Sequence, residues 1–146
     1  MPVTYYNSLL QKLERAAQAY YDNYSDAPLE SYVGLSDVQF SVPSVTFIGQ
    51  QGQELPQGSG NFMCQLVIRV SSSVDETSST QHGTHVGEVF DMFLRDDIAA
   101  KLGGTEGGQS NFHVLGVLNP RVSERTEERL QVSELELECY AASTDL

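Results

Sequence analysis

The best candidate for metal chemistry is a pair of histidines near the start of a predicted helix. His82 and His85 are three residues apart and Glu88 follows three later, so a helix would place them on one face. Two imidazoles and a carboxylate form a donor set that zinc accepts. Gly83, however, falls in the first helical turn, and His113 is the only other histidine. Two histidines without a third anchored ligand more often pack or face solvent, so we predict no metal and no cofactor.

Motifs for nucleophilic catalysis and phosphate binding are missing from the sequence. No Gly-x-Ser-x-Gly elbow is present to anchor a hydrolase serine. The glycine-rich residues 58–61 precede a predicted strand, and no lysine follows directly, whereas a phosphate cradle needs a helix N-terminus there. We therefore predict that the protein is not an enzyme and that this run is a hairpin tip. Its contact residues would be Leu55, Gly58, Ser59, Gly60 and Asn61.

Three glutamates alternate along the last predicted strand. Glu134, Glu136 and Glu138 are two residues apart, so a strand would place them on one face. Such a row could bind calcium or serve in acid–base catalysis. No carboxylate with suitable spacing and no Asp-x-Asp-x-Asp-Gly loop accompany them. We therefore predict a row that faces solvent or the lumen of a ring.

The basic residues are few and unevenly placed. The 146 residues include 8 Lys and Arg against 20 Asp and Glu, a net charge of -12, which argues against gripping nucleic acid or an anionic membrane. No Lys or Arg lies between Arg15 and Arg69, so one extended surface is uniformly negative. Arg121, Arg125 and Arg129 alternate with acidic residues instead. They predict either a solvated charged loop or an ion-pairing contact with an acidic neighbour.

The two cysteines indicate packing rather than chemistry. Cys64 and Cys139 each lie in a predicted strand, far apart in sequence and without Cys-x-x-Cys spacing. We expect two reduced, buried thiols, with a disulfide between adjacent strands as the alternative. No apolar run approaches the ~18 residues of a membrane-spanning helix. The first residues lack the pattern of a secretory signal, which favours assembly in the cytoplasm.

Hydrophobic periodicity divides the chain, treated as a single domain over 1–146, into alternating helical and strand segments. Leu9, Leu13, Ala16 and Tyr20 recur at helical spacing, and Phe62 begins the clearest alternating strand. The predicted elements are a helix over 4–20 capped by Thr4, a long hairpin over 42–73, a helix over 81–102 kinked near 95, a strand pair over 112–140 and a tail over 141–146.

Several boundaries rest on turn residues. The glycines of 49–61 predict a loop between strands 42–48 and 62–73. Asp96 is expected to cap a short turn after the kink, and Gly103-Gly104 to end it in a left-handed conformation. Asn119-Pro120 predicts the start of a charged loop after strand 112–118. In strand 130–140, a change of parity predicts a bulge near Ser133 or a late start of the strand.

The order of elements predicts an α+β fold. A four-stranded, mostly antiparallel sheet with two helices on one face, in the order α-β-β-α-β-β, would bury the apolar stripes. Apolar residues also occur on the other face, where Met63 and Val67 interrupt the polar side of the second strand. A sheet open to water should alternate more regularly. We therefore expect a second copy of the chain to cover part of that face.

In order and spacing of elements, nearly the whole chain resembles the tail-terminator, or tail-completion, proteins of tailed bacteriophages. The resemblance rests on the following segments: the early helix at 9–17, the long hairpin through 58–62, the second helix at 86–93 running into 94–97, and the closing strands at 112–117 and 135–140. The family has no catalytic residues to transfer. The loop at 49–61 is longer than the minimal pattern of the family.

The resemblance implies a hexameric ring in the neck of a virion. Such a ring stops polymerisation of the tail tube protein, docks the tail to the head connector or stopper protein, and lets DNA pass without specific binding. Acidic residues suit that channel because a like-charged wall repels phosphates. Part of the row Glu134, Glu136 and Glu138 would then face the lumen or an end. The three arginines would reach an adjacent subunit.

Other functions remain open at the level of sequence. Another neck or minor virion protein that joins head and tail would have the same composition. A small metal-dependent protein would use His82 and His85. An acidic adaptor would bind basic cellular partners and form no oligomer.

Overall fold

The described strands of this protein form one sheet, and the described helices pack on one face of it. The structure is a computed structural model that describes residues 9–34, 41–54 and 61–143. Its elements are α1 (Leu9–Tyr24), β1 (Glu30–Val33), β2 (Ser44–Glu54), β3 (Asn61–Ser73), α2 (Ser79–Phe93), α3 (Ile98–Leu102), β4 (Phe112–Glu127) and β5 (Leu130–Ser143). The strand order is β1-β2-β3-β5-β4, with β1 parallel to β2 and every other pair antiparallel. The predicted α+β class is confirmed, but the sheet is mixed and has five described strands rather than four.

β1 is the strand that the sequence analysis missed. Its four residues are polar or half-buried and pair in parallel with the start of β2, so neither alternation nor a hairpin turn signals it. Helix α1 holds this segment in place. Gln18 donates from Nε2 to the carbonyl of Ser31, and the Tyr21 hydroxyl accepts from the N–H of Leu29.

Helix α1 buries the predicted stripe of Leu13, Ala16 and Tyr20, and it continues to Tyr24, beyond the predicted end at Tyr20. The predicted cap Thr4 lies outside the described residues. Two charged residues of α1 are buried as well. Lys12 donates to the carbonyl of Ser110, and the buried carboxylate of Glu14 accepts from the backbone of β2.

Within the predicted loop over 49–61, residues 49–54 belong to β2 and residue 61 begins β3. β2 continues to Glu54, with one irregularity between Gln50 and Gly52. Gly49 provides room rather than a turn. A Cβ atom on Gly49 would lie 3.0 Å from the carbonyl oxygen of Leu10, so the residue lets α1 approach the strand closely. Four of the five predicted tip residues, Leu55, Gly58, Ser59 and Gly60, lie outside the described residues; Asn61 begins β3 opposite Ala142.

The predicted kinked helix is two helices. A capping box between Ser78 and Gln81 begins α2, which ends at Phe93, and α3 starts at Ile98. The N-cap of α3 is Asp97 rather than the predicted Asp96, and its side chain makes no capping hydrogen bond. It accepts two hydrogen bonds from Arg95 instead. Gly103 closes α3 with φ of −89°, so the predicted left-handed stop is wrong.

β4 and β5 form a hairpin longer than predicted. The predicted charged loop after Leu118 is wrong, because β4 resumes at Arg121 and runs to Glu127. Irregularities in β4 lie at Val114/Gly116 and Leu118/Arg121 and absorb Asn119 and Pro120. β5 instead pairs with β3 in one uninterrupted register from Leu130 onward, so the predicted bulge near Ser133 and the alternative of a late strand start are both wrong. The predicted tail begins as strand, and 144–146 lie outside the described residues.

Both faces of the central strands are buried. The helices cover Cys64, Leu66, Ile68 and Val70 of β3 together with the odd-numbered residues 135–141 of β5. Residues of the opposite parity are buried too, and these are Ser44, Thr46, Ile48, Val67, Ser71 and Val132. This second buried patch explains the change of parity that suggested a bulge. Val67, the predicted contact with a second copy, is buried within one chain, and Met63 is half-buried.

Candidate interaction surfaces

A network of charges crosses three strands on the face opposite the helices. Glu134 accepts a hydrogen bond from Arg69 at 2.6 Å through Oε2 and one from Arg125 at 2.7 Å through Oε1. Arg125 also donates to Glu127 at 2.7 Å. Cross-strand register creates this network, since Glu134 stands opposite Arg69 of β3 and, across β4, opposite Ser123. Such charge-assisted bonds to a half-buried carboxylate are stronger than exposed ion pairs.

The pKa values within this network follow from these contacts. Burial acts to raise the pKa of Glu134, but the hydrogen bonds from Arg125 and Arg69 outweigh it, and the pKa is lowered. The bonds from Arg125 to Glu134 and Glu127 raise the pKa of the Arg125 guanidinium. Glu134 is therefore a fixed anion in the sheet rather than a free acid or base.

The rest of the predicted acidic row has partners of its own. Arg121 lies 3.5 Å from Glu136, and the side-chain amide of Asn119 donates to Glu138 at 2.7 Å. All three glutamates are half-buried on one face, as the alternation predicted. The carboxylates of the row thus have cationic or hydrogen-bonding partners within the same chain. Sequence spacing could not show this, because the partners come from β3 and β4.

Each of the three arginines pairs within its own chain, but they differ in how firmly they are held. Arg125 has two short bonds. Arg121 has the single contact to Glu136, and its side chain is 66% exposed. Arg129 lies in the turn between β4 and β5 and pairs with Asp75, with both side chains largely exposed. Exposed pairs of this kind contribute little to stability, so Arg121 and Arg129 can exchange partners.

Apolar side chains are exposed along the outer strand. Leu115, Leu118 and Val122 of β4 are 64%, 53% and 57% exposed. Leu118 shares the face of Arg121, because they stand opposite Glu138 and Glu136, whereas Val122 stands opposite Leu135 and points to the helical side. β4 forms an edge of the sheet, so its outer backbone groups pair with no described strand.

An open cleft of about 420 Å³ lies on the helical layer, between the end of α1, α2 and α3. Tyr20 and Tyr24 form one wall, with ring centroids 6.0 Å apart, and Tyr24 is exposed. Three carboxylates line it, those of Asp26, Glu88 and Asp91. Among the described residues, none of the three makes a hydrogen bond or salt bridge.

The two cations at this cleft are already engaged. Arg95 pairs with Asp97 at 3.1 Å, and Lys101 lies 3.5 Å from Glu106. The cleft therefore offers an aromatic wall and unpaired negative charge. Nothing in the sequence joins these residues, which come from three separate segments.

The predicted metal candidates separate in the structure. His82 is buried, and its ring nitrogens lie 2.9 Å from the hydroxyl of Ser72 and 3.0 Å from that of Ser133. Burial lowers the pKa of His82. His85 is half-buried and Glu88 exposed. Within the described ranges no three His, Cys, Asp or Glu side chains are grouped to hold a metal ion.

Cys64 and Cys139 are free thiols that stand directly opposite each other on β3 and β5. Burial raises the pKa of Cys64 to about 11, and burial together with Cys64 raises the pKa of Cys139. Both are packed in the core beneath the helices, as the sequence predicted.

Comparison with known proteins identifies a shared fold. No protein-family model matches the sequence, and a search of curated proteins gives no match. The structure is similar to a chain from the virion of the native gene transfer agent (GTA) particle, with a TM-score of 0.61 and 13% identical residues. The similarity covers 87% of this chain and 94% of that chain. No helix in the described residues is both long and apolar enough to span a membrane.

Proposed function

We propose that this protein is a structural component of a phage-like virion, specifically a tail terminator. It forms a ring in the neck that caps the tail tube and joins it to the head connector. The observation that carries this proposal is the fold shared with a chain of the GTA virion, which extends over 94% of that chain. The particle is assembled in the cytoplasm of the host, and the ring remains in the virion.

The charge distribution supports passage of DNA through such a ring. The chain has a net charge of -12, and residues 16–68 include no Lys or Arg. A wall of this kind repels phosphates and avoids the salt-dependent binding that clustered Lys and Arg would create. Glu138 and the exposed acids near β1, such as Glu30, are the residues that we assign to the lumen or to an end surface. Glu134 is excluded from this role because its charge is paired with Arg69 and Arg125.

The first test is the oligomeric state of the purified protein by native mass spectrometry. We expect a six-fold species. A chain that stays monomeric across a wide concentration range would contradict the proposal. The second test adds the protein to polymerising tail tubes, which should stop at a defined length and carry a ring at one end in electron micrographs. A ring that binds the connector but leaves tube growth unchanged would indicate another neck protein instead.

A further inference from the structure

We propose that residues 118–122 of β4, here called the β4 strip, dock in the cleft between α1, α2 and α3 of a second copy of the chain, with Arg121 supplying the cation. This contact rests on the proposed function, which requires copies of the chain to associate. It specifies which two surfaces meet. It also accounts for two surface features that the described residues of one chain leave exposed.

The first feature is the β4 strip itself. Leu118 and Arg121 lie together on one face, and Val122 lies beside them on the other. Both apolar side chains are more than half exposed. Arg121 is held by one long contact, and Glu136 remains exposed to water when that contact opens. The strip can therefore present Arg121 and Leu118 on one face of the sheet at little cost, with Val122 exposed on the other face of the same edge strand.

The second feature is the cleft. In the part of the chain that the structure describes, its carboxylates at Asp26, Glu88 and Asp91 have no cationic partner, since Arg95 and Lys101, which also line the cleft, pair with Asp97 and Glu106. The exposed ring of Tyr24 offers an apolar surface and the negative face of an aromatic group. Guanidinium groups bind such faces and carboxylates at once. A volume of about 420 Å³ lies within the range of sites that hold small ligands.

We infer a second copy of the chain as the occupant of the cleft, because the same sequence supplies both the acidic cleft and the strip with its arginine. Leu118 and Arg121 lie on the face of the sheet opposite the helices, whereas the cleft lies in the helical layer. The two surfaces of one molecule therefore point in different directions, and the contact must join different copies. Because the surfaces differ, the contact is head-to-tail, and repeated head-to-tail contacts close into a ring when the rotation permits.

The backbone of the strip limits other modes of association. Pro120 has no N–H to donate, and the irregularity at Leu118/Arg121 interrupts a flat edge. Extended pairing of β4 with a second sheet is thus disfavoured at this point. Docking through side chains is the mode that these residues permit.

The test is a charge exchange across the contact, measured by sedimentation velocity at physiological ionic strength. Arg121→Glu and Asp91→Arg should each weaken association by about tenfold or more, because each places like charges together. The double variant restores opposite charges and should recover most of the association. Thr126→Glu is the control: it places a negative charge on an exposed residue of the same strand outside the strip, and it should assemble as the wild type does.

The outcomes separate this contact from the proposed function. Normal assembly of Arg121→Glu, or a double variant no better than both single variants, overturns the contact and leaves the ring itself standing. A wild-type chain that never associates overturns the proposed function and this contact together. Circular dichroism and urea midpoints should match the wild type for all variants, since every altered side chain is exposed.

Discussion

Glu134 and Arg125 are joined across β5 and β4 by a hydrogen bond of 2.7 Å, and the other oxygen of the same carboxylate accepts from Arg69 of β3 at 2.6 Å. One side chain thus links three adjacent strands. The link lies where β4 is otherwise exposed to solvent on every residue from Leu118 onward. Glu134 therefore adds a side-chain link that joins the edge strand β4 to β5 and β3.

Replacing this carboxylate with an amide should weaken the fold. We expect Glu134→Gln to lower the free energy of unfolding by about 1–3 kcal/mol at pH 7, because the uncharged amide keeps one acceptor oxygen for two arginine donors. The pKa of Glu134 is lowered from its ordinary value of 4.5, so its contribution is full above that pH and is lost as the pH falls through the folded-state pKa. Urea denaturation at several pH values measures both effects.

Glu138→Gln is the matched control for Glu134. Its one hydrogen bond comes from Asn119 and is exposed, so we expect a change within about 0.5 kcal/mol. Equal losses of free energy of unfolding in the two variants would show that the link across three strands stabilises the fold no more than a single exposed hydrogen bond does.

Acid should destabilise the protein through His82. Burial lowers the pKa of His82 from its ordinary value of 6.5, so stability is full above that pH and declines as the pH falls toward the folded-state pKa. His82→Gln should remove this part of the decline between pH 7.5 and 5. His113→Gln changes an exposed histidine and should retain the decline. An identical pH profile in wild type and His82→Gln would contradict the prediction.

Two glycine-to-alanine changes should have opposite effects on the free energy of unfolding. Gly87 lies on the exposed face of α2 with nothing near its missing Cβ, so Gly87→Ala should raise the free energy of unfolding by about 0.5–1 kcal/mol. A Cβ on Gly107 would collide with the carbonyl oxygen of Leu102 and lie 3.1 Å from the Cβ of Ala16. Gly107→Ala should lower the free energy of unfolding by about 1–3 kcal/mol.

Thermal melts of both glycine variants check these signs. Stabilisation by Gly107→Ala would mean that the turn after α3 does not approach α1 as closely as the structure has it. A loss in Gly87→Ala would imply that this face of α2 is covered in the assembled protein.

The thiols should be nearly inert in the folded state. The thiolate is the reactive form, and burial raises the pKa of Cys64 by about two units, so labelling at pH 8 should be slower by about a hundredfold than in the unfolded chain. Ellman's reagent should titrate two thiols in denaturing urea. Rapid labelling of native protein, or fewer than two thiols after unfolding, would contradict this packing.

Local patterns predicted the elements that carry strong periodicity. The stripe of α1 and the alternation of β3 confirm the rule that apolar spacing reports secondary structure. Spacing failed where a residue's environment comes from a distant segment. Lys12 and Glu14 have the appearance of solvent-facing residues in α1, yet both are buried because Ser110 and Gly49 provide partners.

Glycine and proline were the other source of error. The glycine pattern predicts a loop at Gly49 and Gly52, but both lie within β2, and Pro120 lies within β4 at an irregularity. The interaction surfaces were partly foreseen. The sequence selected Arg121 and the acidic row, whereas the cleft joins residues from α1, α2 and α3 that only the fold brings together.

The register between β3 and β5 has a mechanical consequence. All 13 residues of β3 pair with β5 without interruption, and their hydrogen bonds lie across the strand direction. A force that pulls these two strands in opposite directions along their length acts on all of their hydrogen bonds at once, in shear, and does not break them one by one. The centre of the sheet is thus built to resist tension along its strands, while its edges carry the side chains that are free to bind.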